Sequence, residues 1–342
     1  MKQIYAIGID VSKSKLDCAV ISSDYEVIEE KEIVNSDKAI SSFITQVLKR
    51  LGAGMSELLI CCENTGIYNR PLERVCNQMG AQLWVEHALK IKRASTDMRG
   101  KNDKKDALRI AEYAIRYQDK QVLFKEDKQE VKTLNNLLKV RETLLTQQVA
   151  INNQLKEAQS HDPESYKVLK TAYKKALNCL AKSLKEMEQK INELIAKDQQ
   201  IQQNVELMSS IPGIGKQNAV NFIIATNNFE SFNSAKHLAC YAGVVPFQNQ
   251  SGTIIKRDRV SKMANKNLKK LLHLAAMAAV RFDPELKAYY QRKVQEGKNK
   301  MSVLNAVRNK LVHRIMAVIT RKSPYEKKNQ VSDNLETNLL AF

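Results

Sequence analysis

Four acidic residues, Asp10, Glu63, Asp103 and Asp106, are of the type and spacing that could hold a divalent ion. Mg²⁺, or Mn²⁺ in its place, takes carboxylate oxygens and keeps waters and substrate phosphate as its other ligands, so a few converging acids suffice for one or two ions. Such ions stabilise both the attacking and the leaving oxygen of a phosphodiester, and the chemistry implied is the cutting of nucleic acid.

The elements that must position these acids can be read from hydrophobic periodicity. Alternation over residues 4–11 puts Tyr5, Ile7 and Ile9 on one face of a strand and Ala6, Gly8 and Asp10 on the other, so Asp10 ends a buried strand on its small-residue face. The turn Ser12-Lys13-Ser14-Lys15 leads to a second strand from Leu16 to Ser22, and a third is expected from Tyr25 to Val34, which makes a three-stranded meander. Glu63 follows the apolar run Leu58–Cys62 and precedes Asn64-Thr65-Gly66, a strand ending in a turn. Asp103 and Asp106 fall where a helix running to about Tyr117 begins. Their spacing of three puts them on one face of the first turn, where the helix dipole favours negative charge. For that pair alone an N-cap and a solvated first-turn acid is the competing reading.

The chain has 342 residues, 43% of them apolar, which is room for two or three domains with real cores. No stretch has the roughly 20 apolar residues of a membrane helix, and the expectation is a soluble protein of the cytoplasm. Cysteines 18, 61, 62, 76, 179 and 240 show no metal-binding spacing and read as small reduced hydrophobes. The formal charge of +18 is concentrated. Between Thr253 and Lys322 there are 18 Lys or Arg against 4 Asp or Glu, a field suited to nucleic-acid backbone. An ordinary lysine-rich surface is the alternative, and the low aromatic content, 6%, argues against a platform for stacking single strands.

A long helical stretch runs from about Glu126 to Met208. Leu177, Leu180, Leu184, Met187, Ile191 and Leu194, continuing through Ile201, Val205 and Met208, follow 3-4 spacing with Asp198 as the one polar interruption. His161-Asp162-Pro163-Glu164 breaks the stretch into two, which predicts a coiled-coil hairpin able to hold protomers together. Ser210–Ala219 has the form of a helix-hairpin-helix turn, in which Gly213 and Gly215 leave backbone N–H groups free for a phosphate and Lys216 adds charge; a plain turn between packed helices is the alternative. Tyr241–Thr253 precedes a basic segment carrying Lys256, Arg257, Arg259, Lys262 and Lys266, the candidate phosphate contacts. Within it Ser251 is, on local chemistry alone, a loop serine, since no His or Glu lies near in sequence to activate it.

Taken together, Gly-Ile-Asp-Val-Ser-Lys at 8–13, Glu-Asn-Thr-Gly at 63–66, Lys-Asn-Asp-Lys-Lys-Asp-Ala at 101–107, Pro-Gly-Ile-Gly at 212–215, and Tyr-Ala-Gly-Val-Val-Pro with Gln-Ser-Gly-Thr resemble the insertion-sequence transposases of the family numbered 110, the DEDD transposases related to the Piv DNA invertases. The resemblance covers about Tyr5 to Thr320. It implies an α/β plus all-α chain: a ribonuclease H-like, RuvC-type domain at 1–125, a coiled-coil arm at 126–204, a mostly helical C-terminal transposase domain with the helix-hairpin-helix at 205–325, and a tail at 326–342. It also implies a catalytic and metal-binding tetrad of Asp10, Glu63, Asp103 and Asp106, and Ser251 as a nucleophile that becomes joined to DNA, the acids of one protomer working with the serine of another in a dimer or tetramer. Its further implied partners are DNA, as element ends and target, and a structured noncoding guide RNA that pairs with both, a bridge RNA. Asn102 stands where the family often has Thr, and Ser261 is a rival hydroxyl in another basic loop.

Three alternatives remain at this level. The acids could activate water in a RuvC-like structure-specific endonuclease. The opening Gly-Ile-Asp also begins sugar-kinase and actin-like ATPases, although no second phosphate motif follows. A basic nucleic-acid-binding protein with a degenerate catalytic fold would use neither.

Overall fold

The computed structural model describes residues 5–94, 103–230, 232, 234–251, 254–261 and 263–326, and the chain divides into two compact units, Met1–Glu126 and Asp127–Phe342. In the first, β1 (Tyr5–Val11), β2 (Lys15–Ile21), β3 (Val27–Val34), α1 (Asp37–Leu51), β4 (Leu58–Glu63), α2 (Arg70–Met79), β5 (Gln82–Glu86), α3 (Ala88–Ala94) and α4 (Asp103–Arg116) follow in order. The sheet runs β3-β2-β1-β4-β5, with β1, β2 and β3 antiparallel and β4 and β5 parallel to β1. The third strand starts two residues later than the sequence predicts. Tyr25 has a positive φ of 65° inside a turn in which its N–H donates to the Ser22 carbonyl, and a β-ladder has no place for that conformation. β3 is an exposed edge, and Glu29, Glu30, Lys31 and Glu32 keep it from pairing with other chains.

The sheet is buried on both faces, and period two sorts its residues between two cores. Ile7, Ile9, Leu16, Cys18 and Val20 pack with Phe43 and Ile44 of α1 and Leu72 and Val75 of α2. Ala6, Ile21, Leu59, Cys61 and Trp84 pack with Ile110, Ala111 and Ala114 of α4. Each fully buried Leu or Ile contributes about 1.5–3 kcal/mol over leaving it in water. Burial pushes the Cys18 and Cys76 thiols up to about 12, so these cysteines act as apolar filler.

Gly8 sets how closely α4 approaches. A Cβ there would stand 2.1 Å from the Ala107 carbonyl oxygen and 2.2 Å from the Ala111 nitrogen, both helix backbone. Only the missing side chain lets α4 lie directly on β1, which brings the helix's first turn over the strand end that carries Asp10.

The second unit opens with α5 (Gln129–His161) and α6 (Pro163–Lys197). Asp162 separates them and caps α6, its carboxylate accepting from the Ser165 N–H at 3.1 Å. The helices fold back on each other, with Gln154 bonded to Tyr173 and Arg141 to Glu188 at similar distances from the turn. Leu184, Ile191 and Ile195 are buried, and Leu177, Leu180, Met187 and Leu194 are half-buried on the same stripe. The stripe does not continue as one helix. Asp198 accepts from the N–H groups of Gln200 and Ile201 and starts a separate helix, α7 (Gln199–Ser209), whose Ile201, Val205 and Met208 belong to the core of this unit. The polar interruption in the seam is an N-cap.

That core is completed by α8 (Lys216–Thr226), α9 (Ala235–Tyr241), the hairpin β6 (Pro246–Ser251) and β7 (Ile254–Val260), then α10 (Lys266–Phe282), α11 (Pro284–Gln295) and α12 (Lys300–Arg321). Leu268, Leu272, Ala276, Leu311, Val312 and Ile315 are among its fully buried residues. Asp283, 2% exposed, caps α11 through the Leu286 N–H and pairs with Arg314 of α12 at 2.6 Å.

Candidate metal centre and nucleic-acid surfaces

Parallel pairing of β1 with β4 brings Ile9 opposite Cys62, so Asp10 and Glu63 are the next positions on adjacent strands, on the face covered by α4. Antiparallel pairing sets Asp17 opposite Asp10, and parallel pairing sets Glu86 opposite Glu63. One row of the pleat therefore carries Asp17, Asp10, Glu63 and Glu86 side by side across β2, β1, β4 and β5. The two outer acids are buried and held. Asp17 pairs with Lys15 at 3.2 Å. Glu86 pairs with Lys90 at 3.0 Å and accepts from the His87 N–H and the Tyr113 hydroxyl. Periodicity does not single out Asp17 and Glu86; their sequence signal is one acid in an otherwise apolar strand, and only the register makes it meaningful.

The loop behind Glu63 is clamped. Asn69 is fully buried; its amide donates to the Glu63 carbonyl at 2.8 Å, and its carbonyl oxygen accepts from the N–H and hydroxyl of Thr65. Asn35 donates from one amide to the carbonyls of Ser12 and Tyr68, tying the turn after Asp10 to the segment after Glu63. Neither asparagine stands out in the sequence: Asn69 acts on a turn four to six residues before it that no periodicity marks, and Asn35 reaches backbone groups 23 and 33 residues away.

From above, α4 supplies Asp106, which pairs with Arg109 one turn on at 2.6 Å. The Glu63 carboxyl is raised above the usual carboxylate range, first by burial, then by the negative charge of Asp10, then by that of Asp106. The structure thus brings three of the four predicted acids within electrostatic reach of one another. Asp103 is the first residue of α4, one turn before Asp106, and its carboxylate lies outside the described side chains. Among the described residues no three His, Cys, Asp or Glu side chains already stand close enough to grip an ion. The donor set nonetheless fits a hard divalent cation: it offers oxygens only, and the mutual repulsion felt at Glu63 is what such a cation relieves.

In the second unit Ser251 is the last residue of β6, at the hairpin tip, paired in register with Ile254. Its side chain and those of Lys256, Arg257 and Arg259 lie outside the described residues, as does all of Lys262. Ser261 is a turn-building serine whose oxygen accepts from the Met263 N–H at 3.1 Å. Lys266 is exposed in the first turn of α10, which Asn265 caps. The two turn glycines before α8 have different roles. Gly213, at φ 92°, leaves no room for a side chain against α10, where a Cβ would meet the Ala275 carbonyl at 2.6 Å. Gly215 is exposed with nothing near its Cβ position, and it begins α8 without a side-chain cap, beside the exposed Lys216.

Acids set side by side across the central strands of a mixed sheet, in one chain with a strongly basic helical unit, are the arrangement expected of an enzyme that processes phosphodiesters. Comparison with known proteins narrows the class. A transposase family model of the DEDD IS110 type matches residues 7–159, and the model described as Transposase IS116/IS110/IS902 family matches residues 205–291. The chain belongs to the IS110 family of DNA transposases and recombinases. It is 28% identical over 327 residues to the pilin gene-inverting protein of Moraxella bovis, covering 94% of this chain and 98% of that one. It is also 28% identical over 258 residues to the transposase for insertion sequence element IS1111A of Coxiella burnetii, covering 66% and 68%. Thermus thermophilus RuvC, solved in complex with a Holliday junction substrate, aligns over 35% of this chain and 98% of its own at 13% identity and a TM-score of 0.27. Among the described residues no helix is long and apolar enough to cross a membrane.

Proposed function

We propose that this transposase cleaves and rejoins DNA to move or invert a mobile segment, with Mg²⁺ held by Asp10, Glu63, Asp103 and Asp106 and with Ser251 as the nucleophile. The observation that carries the reading is the placement of Asp10 and Glu63 on adjacent strand ends under Asp106, near enough that their charges raise the Glu63 carboxyl. The strand order β3-β2-β1-β4-β5 agrees with a ribonuclease H-like domain. A divalent ion bound there supplies positive charge against the charge that builds on the phosphoryl oxygens in the transition state. The protein's part is to hold the carboxylates rigid: Asn69 and Asn35 lock the loops, while Lys15 and Lys90 compensate the flanking acids.

In the strand-transfer step the Ser251 hydroxyl oxygen bonds to phosphorus as the phosphorus–oxygen bond of the leaving strand breaks. The proton lost by serine ends on the released strand hydroxyl, and attack by another strand hydroxyl reverses the sequence and frees the serine. The number of phosphoester bonds is conserved, so no external energy source is needed. Lys256, Arg257, Arg259, Lys262 and Lys266 hold backbone phosphates, and the open N-terminus of α8, with Gly215 and Lys216, grips DNA as a helix-hairpin-helix does. The α5–α6 hairpin acts as a coiled-coil arm for a dimer or tetramer. A structured noncoding RNA pairs with element ends and target and so delegates sequence reading to base pairing.

The test is a denaturing gel of the protein incubated with labelled element-junction DNA, the adjacent transcript and Mg²⁺. Wild type is expected to give a protein-linked DNA band that Ser251→Ala and Asp10→Asn both lose. Cleaved DNA with no adduct, unaffected by Ser251→Ala, would identify metal-activated water as the nucleophile and overturn the serine assignment.

A further inference from the structure

The second unit contains a cavity of about 1130 Å³ bounded by the base of the β6–β7 hairpin, at Pro246 and Val260, and by α10, α11 and α12. Its lining includes Lys266, Lys269, Lys293, Lys298 and Arg308 and no Asp or Glu among the described residues. Lys293 is partnered from outside the lining by Glu296 at 2.6 Å. Arg308 is different. It is 7% exposed, it meets the ring nitrogen Nδ1 of His273 at 2.6 Å, and its Nε is buried with no acceptor among the described residues. A buried guanidinium without a carboxylate is rare, because taking that charge out of water requires a counter-charge.

The cavity walls are held in place by side-chain bonds. The Asn305 amide donates to the Val244 carbonyl at 2.7 Å, and Asn265 is bonded to Tyr241 through both backbone and side chain. Gly243, at φ 66°, lies against Ala264, where a Cβ would come within 2.3 Å. Thus the Tyr-Ala-Gly-Val-Val-Pro segment braces the loop that forms one wall. Burial and then the charge of Arg308 hold the Lys269 ammonium below the usual lysine range, and burial lowers Arg308 as well. An anion between the two would relieve both.

We propose that this cavity is a phosphate-binding pocket, in which the fork of Arg308 and the ammonium of Lys269 take one backbone phosphate of a nucleic-acid strand while Lys266 and Lys298 guide the flanking phosphates. It rests on the reading of the chain as a nucleic-acid enzyme and adds Arg308 and Lys269, which the sequence motifs do not mark, beside Lys266. Arg308 supplies the planar bidentate geometry that phosphate favours.

The test is fluorescence anisotropy of the full-length protein with DNA and RNA oligonucleotides of one sequence, across a range of salt. Arg308→Met and Lys269→Met are each expected to weaken binding about tenfold and to lower the salt slope by about one. Lys182→Met, on the exposed face of α6, should change binding less than about twofold, as expected for a charge that touches no phosphate. Whichever strand type shows the loss is the one the pocket holds. Acetylation footprinting of wild type needs no variant to fold: Lys269 should be protected by saturating oligonucleotide while Lys182 stays reactive. Wild-type binding with undiminished Lys269 labelling, or pocket variants that bind like Lys182→Met, would overturn the pocket; failure of wild type to bind either oligonucleotide would instead remove the nucleic-acid reading itself.

Discussion

Gly8→Ala is the sharpest test of how the acids are brought together. The added Cβ would lie 2.1 Å from the Ala107 oxygen and 2.2 Å from the Ala111 nitrogen. Restoring ordinary contact requires α4 to recede from β1 by about 1 Å, and neither neighbour is a side chain that can turn aside. Overpacking of this kind costs about 1–3 kcal/mol, placed here at the upper end because both obstacles are backbone. At about 4 °C per kcal/mol for a unit of this size, the melting temperature should fall by about 8–12 °C. Activity should fall further than stability explains. Asp106 travels with α4 while Asp10 and Glu63 stay with the sheet, and a misplacement of about 1 Å can cost on the order of 100-fold in rate. The assay pairs calorimetric melts with DNA cleavage measured well below the variant's melting temperature. Gly54→Ala is the control, since its nearest neighbour would be a flexible Glu57 carboxylate at 3.7 Å. If Gly8→Ala melts within 1 °C of wild type and cleaves within twofold, the close approach of α4 does not position the acids.

Asn69→Ala removes the donor to the Glu63 carbonyl and the acceptor for the Thr65 N–H and empties a fully buried position, a loss of about 1–3 kcal/mol by denaturant titration, with cleavage reduced more than the folded fraction. Arg314→Ala strands the buried Asp283 carboxylate and should cost about 3–5 kcal/mol. Glu285→Gln, which removes the exposed partner of the same arginine, should cost less than about 1 kcal/mol. Stability should also depend on pH through His273, whose imidazole is held below the ordinary histidine range by burial and then by Arg308. The unfolded chain binds that proton more readily, so this stabilisation is present above pH of about 6.5 and is lost as pH falls below it. Chemical-denaturation midpoints at pH 7.5 and 5.5 should differ less in His273→Gln than in wild type, and an unchanged difference would remove His273 as the cause.

Much of the first unit was legible in the sequence because period two and small-residue placement report directly on a sheet buried on both faces. The strand end at Asp10, the turn after Glu63 and the helix beginning at Asp103 all follow from local patterns. Asn35 was not legible because its bonds reach backbone groups 23 and 33 residues away, and Asn69 was not because an irregular turn carries no periodicity to mark the residue that clamps it. The seam through Asp198 misled because 3-4 spacing persists across a helix break when both helices bury the same side; the N-cap geometry alone separates them.

By itself the sequence determined which residues could bind a hard cation, where positive charge gathers and how the chain divides between sheet and helices, because charge and periodicity are properties of neighbours along the chain. Tertiary structure alone decided that Asp17 and Glu86 flank the central acids in one row, that Gly213 packs while Gly215 stays open, and that Arg308 is buried in a basic cavity with no carboxylate among its described lining residues. Those facts depend on register and on helix packing, which join residues that no local pattern connects.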